Sequence, residues 1–296
     1  MKRIILFIIT NFSIMLIIGL VLSIVGINSH NILQLLILAG FTGFGGSLIS
    51  LFLSKKLALK SVAGTVITKP NDEDQKWLIE TISKQAKKMR ITMPEVVIYP
   101  ATDLNAFTTG PNHNNSLIAV STSLLKNMTK DEVEAVLAHE MSHIYNGDMV
   151  TMTLLQGIAN TFVFFISHLL TQLFYSLNPN SNTNSSISNY VTSFVISILQ
   201  TVIGLFATII IMWFSRKREF YADAGSAKLV GSDKMIAALQ RLESTIAQPS
   251  QEIISPLKPF CINGESKKHA FLMGIFMSHP SIQQRIKALR SLKYLK

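Results

Sequence analysis

The sequence predicts a mainly α-helical membrane protein, with four transmembrane helices and a cytoplasmic α+β part built on a small sheet. Three observations carry this reading. Hydrophobic residues make up 48% of the 296-residue chain and charged residues only 15%, with a mean hydropathy of +0.36; ordinary globular chains carry roughly 25% charged residues. The charge is missing in blocks, because no Asp, Glu, Lys or Arg occurs from Ile4 to Ser54 or from Met149 to Ser215. Outside those blocks, charged segments with helix caps and short β-like runs return.

Each uncharged block divides into two apolar runs, at 4–27, 32–54, 150–175 and 190–214, each long enough for the roughly 20 residues a helix needs to cross a bilayer. The first follows Lys2 and Arg3 like a secretory signal, yet its apolar stretch exceeds the roughly 7 to 15 residues of a signal core and no Ala-x-Ala-like site follows. It reads as a retained anchor. Basic residues collect on the cytoplasmic side of spans. Here they are Lys2 and Arg3 before the first span, Lys55, Lys56 and Lys60 after the second, and Arg216, Lys217 and Arg218 after the fourth, while the connections at 28–31 and 178–189 carry no charge. Both termini and the 55–148 segment are therefore expected in the cytoplasm. The predicted organisation is two spans in 1–54, a cytoplasmic part in 55–148, two spans in 149–215 and a second cytoplasmic part in 216–296.

The net charge of +10 is explained by these juxtamembrane clusters, which are drawn to anionic headgroups of the lipid bilayer. No basic stripe interleaved with aromatics supports nucleic-acid binding. The single cysteine, Cys261, forbids an internal disulfide and suits a reducing compartment.

Within 55–148, SVAGTVI at 61–67, EVVIYP at 95–100 and SLIAVS at 116–121 read as strands, and 71–89 reads as a helix with acids first and lysines last. Thr129 with Glu132 forms a capping box that opens the next helix, which stops at Asn146 and Gly147. After the fourth span, REFYADAGSAKLVG reads as a separate helix ending at Gly231, Ser232 and Asp233 start another to about 247, and 281–292 is a last short helix after a Pro-rich loop at 248–268. The glycines of GFTGFGG at 40–46 suit close helix packing within a span better than phosphate binding.

The capped helix carries AVLAHEMSHIYNGD at 135–148. On a helix, positions i and i+4 share a face, so His139 and His143 can direct both imidazoles at one metal ion while Glu140 addresses a water beside it. A chance His-Glu-x-x-His in a chain of this composition has a probability of roughly half a percent. Nitrogen ligands and a hydrolytic water favour one Zn2+ per chain, bound by three protein ligands with the fourth position open. The extended pattern with a third histidine is absent, since Asn146 and Met149 stand at its Gly and His positions. Asp148 is near, but it follows the Asn146–Gly147 break, which leaves its direction open. Glu219 follows the fourth span about as closely as His143 precedes the third, and those two spans are joined by a short loop. Glu219 is therefore the expected third ligand, with Asp223 one turn on to accept the outer N–H of a ligating histidine. A structural zinc would need a fourth protein ligand, which is not evident, and a transporter would place ionisable groups inside its spans, where only His168 occurs.

AVLAHEMSHIYNGD, REFYADAGSA, LNAFTTG at 104–110 and SHPSIQQR at 278–285 together resemble the motifs of the HtpX family, membrane-bound zinc endopeptidases related to the eukaryotic prenyl-protein processing proteases. The likeness covers nearly the whole chain. It implies a zincin-like, gluzincin-type protease domain in a bacterial cytoplasmic (inner) membrane, with His139, His143 and Glu219 as zinc ligands and Glu140 as catalytic base. It further implies that Asn105 lies in the strand that pairs with substrate and that His279 helps stabilise the oxyanion. The expected substrates are damaged or misfolded membrane proteins, cleaved at cytoplasmic sites under stress.

Overall fold

The computed structural model describes residues 29–177, 186–246, 279–291 and 294, so the predicted first span at 4–27, the loop at 248–268 and Cys261 lie outside the described residues. The second predicted span lies within helix α1, Ser29–Val62, which continues past Ser54 through the lysine cluster. This corrects the strand expected at 61–67. Extending an existing helix needs no new nucleus, and the ladder stops only at Ala63, whose φ of 48° is left-handed. What remains of the strand is β1, Thr65–Val66.

Helix α2, Glu73–Met89, is capped at its start by Asp72, whose side chain accepts the Gln75 N–H, and buries Leu78, Ile82 and Ala86 on one face. Strands β2 (Glu95–Tyr99), β3 (Ala106–Asn112) and β4 (Asn115–Ser121) join β1 in a mixed sheet of order β1-β2-β4-β3. β2 and β4 are parallel and the two outer pairs antiparallel. The sheet is covered on both faces. Val96, Ile118 and Val120 face α2 and the helices beyond it, whereas Val97, Leu117 and Ala119 pack with Leu59 and Val62 of α1. That double burial explains why β4 is apolar at consecutive positions rather than alternating. β3 was not legible as a strand from its own composition, because it contains Gly110 and Pro111; proline is tolerated there because the strand is at the edge.

A short helix α3 (Thr122–Asn127) leads to α4, Lys130–Asn146, whose capping box is formed by Thr129 and Glu132. α4 ends where Gly147 adopts φ 68° and donates to the His143 and Ile144 carbonyls. Helix α5, Asp148–Leu177, begins at the next residue. Helix α6 is continuous from Ser186 to Val230, so REFYADAGSAKLVG is not a separate helix. Phe214–Phe220 contains neither Gly nor Pro to interrupt the ladder. α7 (Ser232–Ile246) and α8 (Ile282–Arg290, capped by Ser281) complete the described chain.

Three described helices contain segments long and apolar enough to cross a membrane: Gln34–Val62, Asp148–Thr171 and Ser197–Val230. The chain divides into two compact units. In the one formed by residues up to Leu51 and Val150–Ile211, Leu35, Leu36 and Ala39 cluster with Phe165 and Leu169. Gly43, from the Gly-rich stretch, packs against the Thr161 backbone, and His168 is engaged with the Phe164 carbonyl of its own helix at 3.0 Å. The other unit, Phe52–Met149 with Met212–Lys296, holds the sheet, α4 and the site described next.

Candidate metal centre

Helix α4 is buried almost all round between Val133 and Ile144. The C-terminal part of α6 approaches it through small residues. Ser226 Oγ donates to the Ala135 carbonyl at 2.8 Å. A Cβ on Gly225 would lie 2.9 Å from the Ser142 Cβ, closer than packed carbons sit, so only glycine permits this helix spacing. The close approach carries Glu219, 2% exposed, to the face of α4 that bears both histidines.

His139 Nε2 and His143 Nε2 lie 3.1 Å apart, and each is 3.5 Å from a Glu219 carboxylate oxygen. Ligands about 2.0–2.1 Å from a zinc at tetrahedral angles are about 3.3–3.4 Å from one another. The two nitrogens and the two Glu219 oxygens, Oε2 toward His139 and Oε1 toward His143, lie close to that spacing. Their protonation supports the same fit. His139 Nδ1 contacts Asp223 Oδ1 at 2.9 Å and His143 Nδ1 contacts Asp148 Oδ2 at 2.6 Å, so both Nδ1 atoms carry the proton and donate it to a carboxylate. Both Nε2 atoms then face each other and the Glu219 carboxylate in a buried place, an arrangement that suits a cation between them. Left without one, the site takes a proton. Burial alone would push His139 down, but its hydrogen bonds to Asp223 and Glu219 outweigh that and raise it to about 9.

Glu140 is also buried, and that burial pushes its carboxyl above the ordinary value, with the nearby histidines pulling the other way. A raised carboxyl suits a group that must both accept and return a proton. His279 brings Nδ1 to 3.0 Å from Glu219 Oε2 while most of its side chain stays exposed. Asn105 stands apart from this cluster, one residue before β3, where its carbonyl accepts the Ser121 N–H at 2.9 Å and its own N–H donates to Ser121 Oγ at 3.2 Å.

Two participants were not assigned from sequence. Arg285 is buried and grips Asp223 with two nitrogens, Nε to Oδ2 at 2.8 Å and Nη2 to Oδ1 at 2.6 Å, while its Nη1 is 3.7 Å from Glu219. A signal existed. Positions 282, 285, 286 and 289 share one face of α8, so an arginine stands in the stripe that Ile286 and Leu289 bury. Asp148 is the second, and Arg218 lies beside it, with Nη1 3.2 Å from the Asp148 carbonyl and 3.9 Å from its Oδ2.

Comparison with known proteins places the whole chain beside characterised relatives. The family model described as Peptidase family M48 matches residues 72–293, a span that includes all of these groups. The chain is 54% identical to Protease HtpX of Pectobacterium carotovorum subsp. carotovorum (strain PC1) over 299 aligned residues and 53% identical to Protease HtpX of Serratia proteamaculans (strain 568) over 298, with the whole of both chains covered in each case. Its fold is similar to the crystal structure of S. mikatae Ste24p, with a TM-score of 0.56 at 19% identity, covering 95% of this chain and 67% of that one. A buried His-His-Glu centre, a family match over three quarters of the length and relatives identical at more than half of all positions from end to end lead to one conclusion: the chain belongs to peptidase family M48.

Proposed function

We propose that the protein is a zinc endopeptidase of the bacterial inner membrane that cuts damaged or misfolded membrane proteins at cytoplasmic sites. The observation that carries the chemistry is the near-tetrahedral spacing of His139 Nε2, His143 Nε2 and the Glu219 carboxylate, with each histidine's Nδ1 held by an aspartate so that Nε2 is the nitrogen turned to the centre. These three residues would hold the ion, and its donor set of two imidazoles and a carboxylate is that of a hydrolytic zinc. When bound, zinc supplies Lewis acidity that polarises a carbonyl and acidifies water.

Glu140 takes the proton of the attacking water and passes it to the departing amide nitrogen, a double role supported by its burial. His279, whose Nδ1 is engaged with Glu219, has Nε2 as its remaining nitrogen to turn toward a developing oxyanion. An extended substrate segment adds to the free edge of β3, which has no partner on that side among the described residues and lies beside α4. Asn105 bonds inward to Ser121, and bonding alternates along an antiparallel strand. Ala106 and Thr108 are therefore the residues whose backbone groups meet the substrate, and Asn105 acts through its side chain. Recognition by backbone suits broad specificity.

The cytoplasmic orientation rests on the basic clusters that flank the spans. The three spanning candidates, with the segment at 4–27 as a fourth, support substrates presented at a membrane surface. The deciding experiment is Glu140→Gln in detergent-purified protein. Zinc content should equal that of the wild type while cleavage of casein and self-cleavage are both lost. Retained proteolysis would refute the assigned mechanism, and wild-type protein that binds zinc yet cuts neither itself nor casein would refute the protease reading.

A further inference from the structure

We propose that Asp148 and Arg218 form a positioning pair for His143, with Asp148 fixing the ring and Arg218 fixing Asp148. The inference rests on the zinc reading above and concerns residues for which that reading has no role. It begins with a covalent feature. Only Gly147 separates α4 from α5, and its left-handed conformation turns the chain so that the first residue of α5 meets the last turn of α4. Asp148 thereby reaches back five residues and accepts the His143 Nδ1 proton at 2.6 Å. It does so as a buried carboxylate, 7% exposed. Its position in the first turn of α5 adds a favourable interaction with the helix dipole. A carboxyl acceptor on Nδ1 holds the ring in one tautomer and orientation and makes Nε2 a stronger donor to a metal.

Asp148 has two hinges of its own, the backbone at Gly147 and its χ1, so something must hold it. Arg218 is placed to do so. Its Nη1 reaches the Asp148 carbonyl at 3.2 Å and stands 3.9 Å from Oδ2, so one guanidinium nitrogen addresses both the backbone and the carboxylate. Arg218 is not a solvated member of the Arg216–Arg218 cluster. Its side chain is 17% exposed, and its Nε is buried without a partner among the described residues, a desolvation penalty that a freely solvated arginine avoids by turning outward. Arg218 also immediately precedes Glu219. One residue of α6 contributes to the centre, and the residue before it holds the group that orients His143, so the His143-to-Glu219 spacing is fixed by a second connection besides the ligands themselves.

The test uses full-length protein in detergent and reads metal binding rather than turnover alone. Zinc affinity is measured by chelator competition, and the visible spectrum of the cobalt-substituted protein reports the ligand field. Asp148→Asn should weaken zinc by about 10- to 100-fold and shift the cobalt bands, the usual size for loss of a ligand's hydrogen-bond partner. Arg218→Gln should weaken it by a smaller factor, about 3- to 10-fold, with Arg218→Lys recovering most of the loss. Melting temperatures of the chelator-treated variants should stay near the wild type. Wild-type affinity and cobalt spectrum in Asp148→Asn would overturn the proposal. A drop in melting temperature with an unchanged cobalt spectrum would also overturn it, by reducing the pair to a structural contact. Should Asp148→Asn fail to fold, the Arg218→Gln and Arg218→Lys comparison decides by the same readouts. Failure of the wild type itself to bind zinc would instead refute the underlying zinc reading.

Discussion

The two histidines of one helix turn are supported in parallel but unequal ways. Each gives its Nδ1 proton to a buried aspartate, and each aspartate has an arginine beside it. On the His139 side, Asp223 and Arg285 meet through two short bonds of 2.6 and 2.8 Å, drawn from the C-terminal part of α6 and from α8. On the His143 side, Asp148 comes from the chain five residues on, and Arg218 reaches its carboxylate only at 3.9 Å. The first arm is a bidentate clamp between distant segments. The second depends on a one-residue hinge between helices. The difference teaches that two ligands of the same type, four residues apart, draw their rigidity from different sources, tertiary packing for His139 and local backbone geometry for His143.

The largest effect expected from breaking this contrast is at the clamp. Arg285→Ala strips a bidentate partner from a buried carboxylate and should destabilise the protein by about 3–5 kcal/mol, read as a fall in denaturation midpoint. An equal loss from Arg218→Ala would show that the two arms are equivalent and sink the comparison. Next comes the spacing that both arms share. Gly225→Ala places a methyl against Ser142 and should cost about 1–3 kcal/mol by wedging α4 from α6, with zinc affinity falling in the same variant. Unchanged affinity there would mean that the ligand spacing tolerates helix displacement.

A pH series sharpens the comparison further, because the clamp side holds a proton in the zinc-free protein. His139 rises from 6.5 to about 9, so the stabilisation it gives the zinc-free fold is complete below about 6.5 and is lost as pH rises through about 9. Zinc must displace that proton. Affinity should therefore weaken as pH falls below about 9, and calorimetry at pH 7.5 in buffers of different ionisation enthalpy should detect a proton released on binding. Binding without proton release would contradict the assignment. The smallest predicted effect is at the edge of the sheet. Asn105→Ala should raise KM for a peptide substrate without altering zinc content, since its backbone bonds to Ser121 do not depend on its side chain; a loss of zinc would place it nearer the centre than the structure does.

The parts of the centre that were legible in the sequence are those governed by short-range periodicity. His139 and His143 follow from i to i+4 spacing, and Glu219 and Asp223 follow from the same spacing once the last two spans are placed side by side. The capping box at Thr129, the stop at Gly147 and strands β2 and β4 were readable because each depends on a local hydrogen bond or an apolar run. Arg285 was missed because its partner lies 62 residues away, and a polar SIQQR segment looks solvated until its burying stripe is traced. Asp148 was seen but not directed, since one backbone angle at Gly147 decides whether it faces the histidine or the solvent. The strand at 61–67 failed because α1 ran through its first residues, and the helix break expected before Glu219 failed because nothing in Phe214–Phe220 interrupts α6.

The most direct test of the central claim, a centre of two imidazoles and one carboxylate set by these arms, is X-ray absorption at the zinc edge of the metal-loaded protein in detergent. The account predicts one zinc per chain with low-Z ligands at about 2.0–2.1 Å and the outer-shell scattering of two imidazoles. That scattering should fall to one imidazole in His143→Ala. A sulfur shell, or an imidazole signature that survives unchanged in His143→Ala, would contradict it.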